Sequence, residues 1–440
     1  MPTNTPPNAA TTPDLAGSAL LLAAATVLTT TALPAPLNAL PQEAPQRRPA
    51  ETAIFSSAGH PDSRLSEIGR LGTALFLKPG RFVFVDTTVP HLVFVDIESG
   101  EVVSAGREGE GPGEFQRATL LSRNGDGTVF VWDSRQQRLS LVGVADGQGV
   151  VTQPEYDESL FKSGGPLAMF GAGSRPVAAY PDGTLIVREN PSPTGDMFGI
   201  PRREPGPYRD TVHYNVAALG AEKRLLAEML GTESFSSVST GGFQSTGSLI
   251  FGHELLQQQV GEHLAVAQTD LGSVRVFDRS GAVVVEIPLP PGKRASEGQI
   301  ETARDRRIAS TETMVGNIGE MVGRIAEERG EELRRPRGLE SSGDRLGDLP
   351  ANEIAPPVDR IRGDMDGRLW MRLFDPANTG VDPGSVSEQW LVWDISGPRL
   401  LFTVVLGPGD LFLDAAGDRV LLRTRDEFDV DYVVVREIVR

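Results

Sequence analysis

One arrangement recurs six times along this chain and leaves few folds open to it: a glycine followed at once by a short apolar strand. The copies are Gly80-Arg-Phe-Val-Phe-Val85, Gly127-Thr-Val-Phe-Val-Trp132, Gly183-Thr-Leu-Ile-Val187, Gly261-Glu-His-Leu-Ala-Val266, Gly367-Arg-Leu-Trp-Met371 and Gly417-Asp-Arg-Val-Leu-Leu422. Asp126, Asp182 and Asp366 precede three of them, and an Asp-Gly pair between β-rich runs is a strong hairpin signal. A second β-rich run follows each copy after a polar gap: His91–Asp96, Arg138–Val142, Tyr214–Leu219, Ser273–Asp278, Gln389–Asp394 and Asp431–Arg436. A third run often comes next, as at Val283–Leu289 and Arg399–Leu406, and a short apolar strand lies upstream, as at Val177–Tyr180 and Leu411–Leu413. This reads as four antiparallel strands per unit.

The glycines are spaced by 47, 56, 78, 106 and 50 residues, the shortest intervals matching one propeller blade of roughly 40–50 residues. A small sheet cannot cover both of its faces alone, so such units stack around an axis. The expected fold is all-β: a six-bladed β-propeller of four-stranded antiparallel blades, spanning residues 52–440, with one α-helical insertion. The last unit ends without an outer strand, and Thr52-Ala-Ile-Phe-Ser-Ser57 has no sheet of its own. Pairing the two would fasten the ring and cover an edge that invites aggregation.

The insertion is expected at about 296–335, with a tether over 336–357. Ser296 and Gln299 form a capping pair, and Val315, Ile318, Val322 and Ile325 share one helical face. At the other end of the chain, Leu15–Leu33 is an apolar run followed by small residues, so residues 1–39 read as a signal peptide. No Lys or Arg precedes Arg47, which departs from that pattern, and an uncleaved anchor is the second reading. Residues 40–51 read as a flexible linker. Export, to the periplasm, cell envelope or exterior, follows from the signal peptide, and the membrane is a partner only if that segment stays attached.

The pattern resembles the NHL-like six-bladed β-propellers, in particular uncharacterised exported bacterial ones. The residues that carry the resemblance are Gly109-Glu-Gly-Pro-Gly-Glu-Phe115, Asp126-Gly-Thr-Val-Phe-Val-Trp-Asp133 and Arg138-Leu-Ser-Leu141. It is strong over 80–142, moderate over 262–290 and 366–436, and weak over 143–250. The resemblance implies the fold; because the family spans scaffolds, receptors, RNA binders and a few lyases, it implies no single activity.

Chemistry is sparse. The chain carries 59 acidic and 42 basic residues, a formal charge of −17, which argues against nucleic acid as a partner. It has no cysteine, so disulfides and thiolate sites are excluded. The five histidines (His60, His91, His213, His253 and His263) form no metal-spaced pair. Asp86, Asp96, Asp133, Asp270, Asp278, Asp375 and Asp394 stand at strand ends. Converging carboxylates there would hold calcium, but such aspartates more often cap turn amides. Trp370, Trp390 and Trp393 are read as filling between blades. Arg107, Glu110, Glu114 and Arg117 cluster on one loop and are the candidate ligand-binding residues; no catalytic residue is named. The expectation is a binder of a protein, peptide or glycan at its loop-bearing end, without cofactor. The alternative is a lyase or lactonase with a divalent metal at the channel mouth.

Overall fold

The glycine that opens each unit works as a turn residue. In a computed structural model of the chain, Gly127 and Gly183 lie at φ 83° and 82°, a left-handed conformation that a side chain would strain. The structure describes residues 44–154, 156, 160–161, 173–190, 204–218, 222–238, 244–310, 312–313, 349–381 and 385–440. The chain divides into two compact units at residue 38, and all described residues belong to the second, Ala39–Arg440.

The described chain opens with strand β1 (Gln46–Ser56), whose partners come from the far end of the sequence. The first complete sheet is β2 (Leu71–Lys78), β3 (Arg81–Asp86), β4 (His91–Asp96) and β5 (Val102–Ala105). A parallel pair of short strands follows, β6 (Arg107–Glu108) and β7 (Glu114–Phe115). Next come β8 (Ala118–Asn124), β9 (Thr128–Asp133), β10 (Arg138–Ala145) and β11 (Gln148–Thr152), again one antiparallel sheet. β12 (Gly173–Ala179) and β13 (Leu185–Asn190) join β15 (Thr211–Ala217) and β16 (Arg224–Leu230). Between and beside them, β14 (Gly206–Tyr208), β17 (Ser234–Val238) and β18 (Gln244–Ser248) form a separate three-stranded sheet, unanticipated from the Ser- and Gly-rich sequence. β19 (Leu255–Val260), β20 (His263–Gln268), β21 (Ser273–Phe277) and β22 (Val283–Pro288) make the next sheet. The remainder is β23 (Val358–Gly363), β24 (Arg368–Leu373), β25 (Glu388–Asp394), β26 (Arg399–Leu406), β27 (Leu411–Ala416), β28 (Arg419–Arg425) and β29 (Asp431–Val439).

The chain is thus mostly β, a series of small antiparallel sheets arranged as in a β-propeller. The hydrophobic clusters show how the sheets stack. Successive side chains on a strand point to opposite faces, and both faces of these strands are covered. Phe82 and Phe84 pack with Leu421 and Val433, whereas Val83 and Val85 on the other face pack with Val129 and Val131. The same alternation continues: Phe130 and Trp132 meet Leu185 and Val187, and Ile186 and Tyr214 meet Leu264 and Val266. Ala265 meets Leu369 and Met371, and Trp370 and Trp390 meet Phe412 and Leu422. Two-sided burial is why these strands read as unbroken apolar runs rather than as alternating ones. All three tryptophans near the fifth glycine are buried, as expected; Trp370 stacks on Phe412 with ring centroids 4.5 Å apart.

β1 fills the place left by the short last unit. It runs antiparallel to β29, from Arg48 opposite Val439 to Ser56 opposite Val434, and Ser57 and Val433 continue the pairing. Gln46 and Arg47 also pair in parallel with Thr403 and Val404 of β26, which joins the last two strand groups into one eight-stranded sheet. The strand starts at Gln46, so residues 46–51 are ladder and not the linker expected there. The reason is local: partners on both sides satisfy backbone groups that a linker would leave to water.

A helix occupies residues 297–310. The capping pair forms: the Ser296 N–H donates to Gln299 Oε1 at 2.8 Å, and the Gln299 N–H to Ser296 Oγ at 3.3 Å. The expected apolar face from Val315 to Ile325, most of the tether, and the leader with the start of the linker lie outside the described residues. Among the described residues, no helix is long and apolar enough to cross a membrane.

Candidate functional site

The loop expected to bind ligand is held by its own side chains. Phe115 is buried, and a side chain at Gly106 would run into its ring. The Glu114 carboxylate accepts from the Gly111 N–H and from Arg107 Nε, each at 2.8 Å, and is held below the usual carboxylate range by those two contacts in that order. Glu110 accepts from Gln116 Nε2 at 2.7 Å, and the Arg138 guanidinium donates to the Glu110 and Glu114 carbonyls. Arg107, Glu110 and Glu114 therefore spend their polar groups on loop geometry. Arg117 does not share that role: it stands just ahead of β8 and lines a cavity.

That cavity, about 930 Å³, is bounded by the first strands of successive sheets. Its wall takes Gly72–Leu75 from β2, Thr119–Leu121 from β8, Arg175–Val177 from β12, Gln257 and Gln258 from β19, Arg360 and Arg362 from β23, and Leu411–Leu413 from β27. Trp132, Ser134, Arg372 and Arg423 complete it. The wall takes the incoming ends of β2, β8 and β27, the middles of β12 and β19 and the far end of β23, and its Arg117 follows closely on the loop that ends at Phe115.

Six arginines, Arg117, Arg175, Arg360, Arg362, Arg372 and Arg423, face this space in a chain of net charge −17, and the described wall includes no Asp or Glu. Their partners are unequal. Arg372 forks onto Asp359, at 2.7 and 2.6 Å, and also reaches Glu388. Arg423 stands 3.8 Å from Asp431, which Arg425 already binds at 2.7 Å. Among the described residues, Arg117, Arg175, Arg360 and Arg362 have no carboxylate within ion-pair distance. Burial, then the neighbouring Arg360, pushes Arg362 down to about 10. Burial, then Arg372, lowers Arg360 as well.

The two glutamines are oriented from behind. Gln257 Oε1 accepts from Arg188 at 2.8 Å and from the Tyr214 hydroxyl at 3.1 Å, and Gln258 Oε1 accepts from Arg362 at 3.4 Å. With their oxygens engaged, both side chains have their N–H₂ donors left over.

Below the cavity a polar knot ties the first and last sheets together. The Arg123 guanidinium donates to Asp414 and, through Nε, to the Phe76 carbonyl at 2.6 Å; the Phe76 N–H returns a 2.6 Å bond to Asp414. Burial pushes the Asp414 carboxyl upward against the pull of Arg123. Nothing in the spacing of Arg123 and Asp414, 291 residues apart, announces this contact.

The strand-end aspartates divide as the turn-capping reading requires. Asp133 accepts from the Gln116, Arg117, Arg135 and Gln136 N–H groups. Asp86, Asp96, Asp278, Asp375 and Asp394 likewise accept from turn amides. Asp270 is the exception and pairs with Arg209 at 2.6 Å. Among the described residues no three His, Asp or Glu side chains stand together as a metal cluster. The helix at 297–310 serves a different hollow: its Ala303, Arg306 and Arg307 border a separate pocket of about 380 Å³ with Phe251 and Phe374.

The sequence reasoning named Arg117 but missed the other wall residues. A signal was present: Arg360 and Arg362 sit in the run expected as a first strand near 358–362, and Arg175 stands just ahead of the run at Val177–Tyr180, places where an arginine is unusual.

No protein-family model matches the chain, and no curated protein does. Among solved structures, regucalcin from Agrobacterium tumefaciens, described as a calcium-binding protein, is 13% identical with a TM-score of 0.34, over 90% of this chain and 97% of that one. A putative exported protein from Bacteroides fragilis is 10% identical at 0.35, over 89% and 98%. A member of the DUF4221 family from Bacteroides vulgatus is 10% identical at 0.34, over 84% and 98%. Likeness this slight does not bear on activity, and the propeller reading rests on the sheets and their packing.

Proposed function

We propose that the chain is an exported, non-catalytic β-propeller of six blades that binds its ligand, a protein, peptide or glycan, in the cavity at the loop-bearing end. The blade count rests on the order of packing: each sheet packs on the next, and the last packs on the first, with β1 serving as the fourth strand of the final blade. The observation that carries the binding role is the wall itself. Its guanidinium, amide and hydroxyl groups can hold a ligand, yet none exchanges a proton near neutral pH, as acid–base catalysis requires. A metal-dependent lyase or lactonase is disfavoured by the same wall, because clustered guanidiniums repel a divalent cation. Export rests on the Leu15–Leu33 run; the net charge argues against nucleic acid, and the membrane enters only through that run.

Thr119, exposed on the cavity wall, is the place to test this. Peptide and glycan arrays probed with the full chain should yield a ligand whose binding is lost in Thr119→Trp and kept in Glu110→Gln. Binding that survives the blocked cavity moves the site elsewhere.

A further inference from the structure

We propose that the cavity is a receptor for an oxyanion ligand, one that carries two or more carboxylate, sulfate or phosphate groups. The inference rests on the cavity being the binding site and names the chemistry it selects. Arginine stays protonated at any physiological pH, so the wall holds positive charge that the nearby Asp359, Glu388 and Asp414 offset only in part. Arg372 has its own carboxylates, but Arg117, Arg175, Arg360 and Arg362 have none within ion-pair distance among the described residues. Arg360 and Arg362 stand two positions apart on β23 and so share one face of the strand.

The neutral groups agree with the charged ones. Gln257 gives its oxygen to Arg188 and Tyr214, and Gln258 gives its oxygen to Arg362, which leaves N–H donors toward the cavity. An acidic chain that gathers unpaired cations and amide donors around one hollow carries a like-charge strain there. A ligand that brings the missing negative charge relieves it. Planar guanidiniums suit the paired oxygens of carboxylate and phosphate alike. The cations come from three different sheets, Arg117 from just ahead of β8, Arg175 from β12 and Arg360 and Arg362 from β23, hence two or more anionic groups.

The test uses the full chain with four probes: citrate, pyrophosphate, an oligogalacturonide, and a neutral galacto-oligosaccharide as control. At least one anionic probe should raise the melting temperature and bind in calorimetry, with an affinity that falls as salt rises. Binding of citrate or pyrophosphate points to a free small anion, and binding of the oligogalacturonide alone to anionic groups carried on a glycan. Arg362→Gln should weaken that binding by tenfold or more, and Arg107→Gln on the outer loop should not. Without ligand, Arg362→Gln should melt above the native protein, because it removes a crowded cation; a structural arginine would give the opposite sign. Should Arg362→Gln not fold, the exposed Arg175→Gln serves, with the same expected loss of binding. Silence from all three anions overturns the inference, as does anion binding indifferent to Arg362 and Arg175. A neutral glycan held equally by native protein and Arg362→Gln, but not by Thr119→Trp, overturns the anion and keeps the cavity. Anion binding that survives Thr119→Trp overturns both.

Discussion

Asp414 shows what a single residue can do when its surroundings are chosen well. It is 1% exposed, and its charge is tolerated because Arg123 and the Phe76 N–H both address it. Removing one partner of a buried pair leaves a bare charge, which typically costs 3–5 kcal/mol. Arg123 keeps 23% of its side-chain exposure, so the cost should fall near the lower bound. Arg123→Ala is expected to lose roughly 3 kcal/mol in denaturant unfolding. Arg123→Met combined with Asp414→Asn should recover part of it, since the amide still accepts from Phe76. If the single variant matches the native protein, the knot contributes nothing. Four arginines of the cavity wall follow the other logic: among the described residues Arg117, Arg175, Arg360 and Arg362 have no carboxylate within ion-pair distance.

At the scale of elements, β1 is expected only in part: the sequence points to pairing by Thr52–Ser57, and the strand begins earlier, at Gln46. Its residues look like a tail, and only the missing outer strand of the last unit hints at their place. Removing residues 1–57 strips β29 of its partner and exposes a bare edge. The melting temperature is expected to drop by about 5 °C or more, with aggregation on heating. A truncated chain that melts unchanged and stays monomeric would show that the strand adds nothing. The elements that escaped the sequence reading escaped for physical reasons. β11 alternates exposed and half-buried residues and includes Gly149, so it lacks an apolar run. The sheet of β14, β17 and β18 is built largely from Gly, Ser, Thr and Gln, residues that leave no apolar run to read. The two-faced strands were legible because burial on both sides writes itself as Phe-Val-Phe-Val.

For the whole molecule, the plan was legible and the site only in part. Glycines at turns and apolar strands are local and leave a local trace. Arg117, Arg175 and Arg362 come to one cavity only after the sheets are packed, and their trace is a charge in or beside each of several distant strands. The same plan sets the response to acid. Asp96, Asp278, Asp375 and Asp394 all titrate below their ordinary 3.8. Turn hydroxyls and amides hold Asp278 and Asp394, a backbone amide does most for Asp96, and Lys293 does most for Asp375. A depressed acid stabilises the fold above its unfolded pKa and loses that contribution as pH falls through the folded one. The melting temperature should therefore change little between pH 5 and 7 from these groups and fall once pH drops below about 3.8. A decline that is complete by pH 5 would point to other groups.

β1 also decides how the ring bears load. Because it lies between β26 and β29 and is bonded to both, tension applied ahead of Gln46 runs along the strand. Its hydrogen bonds would then have to slip together in shear instead of opening one at a time like a zipper. Whatever is tethered before this strand pulls on the same hydrogen bonds that join the strand to β26 and β29.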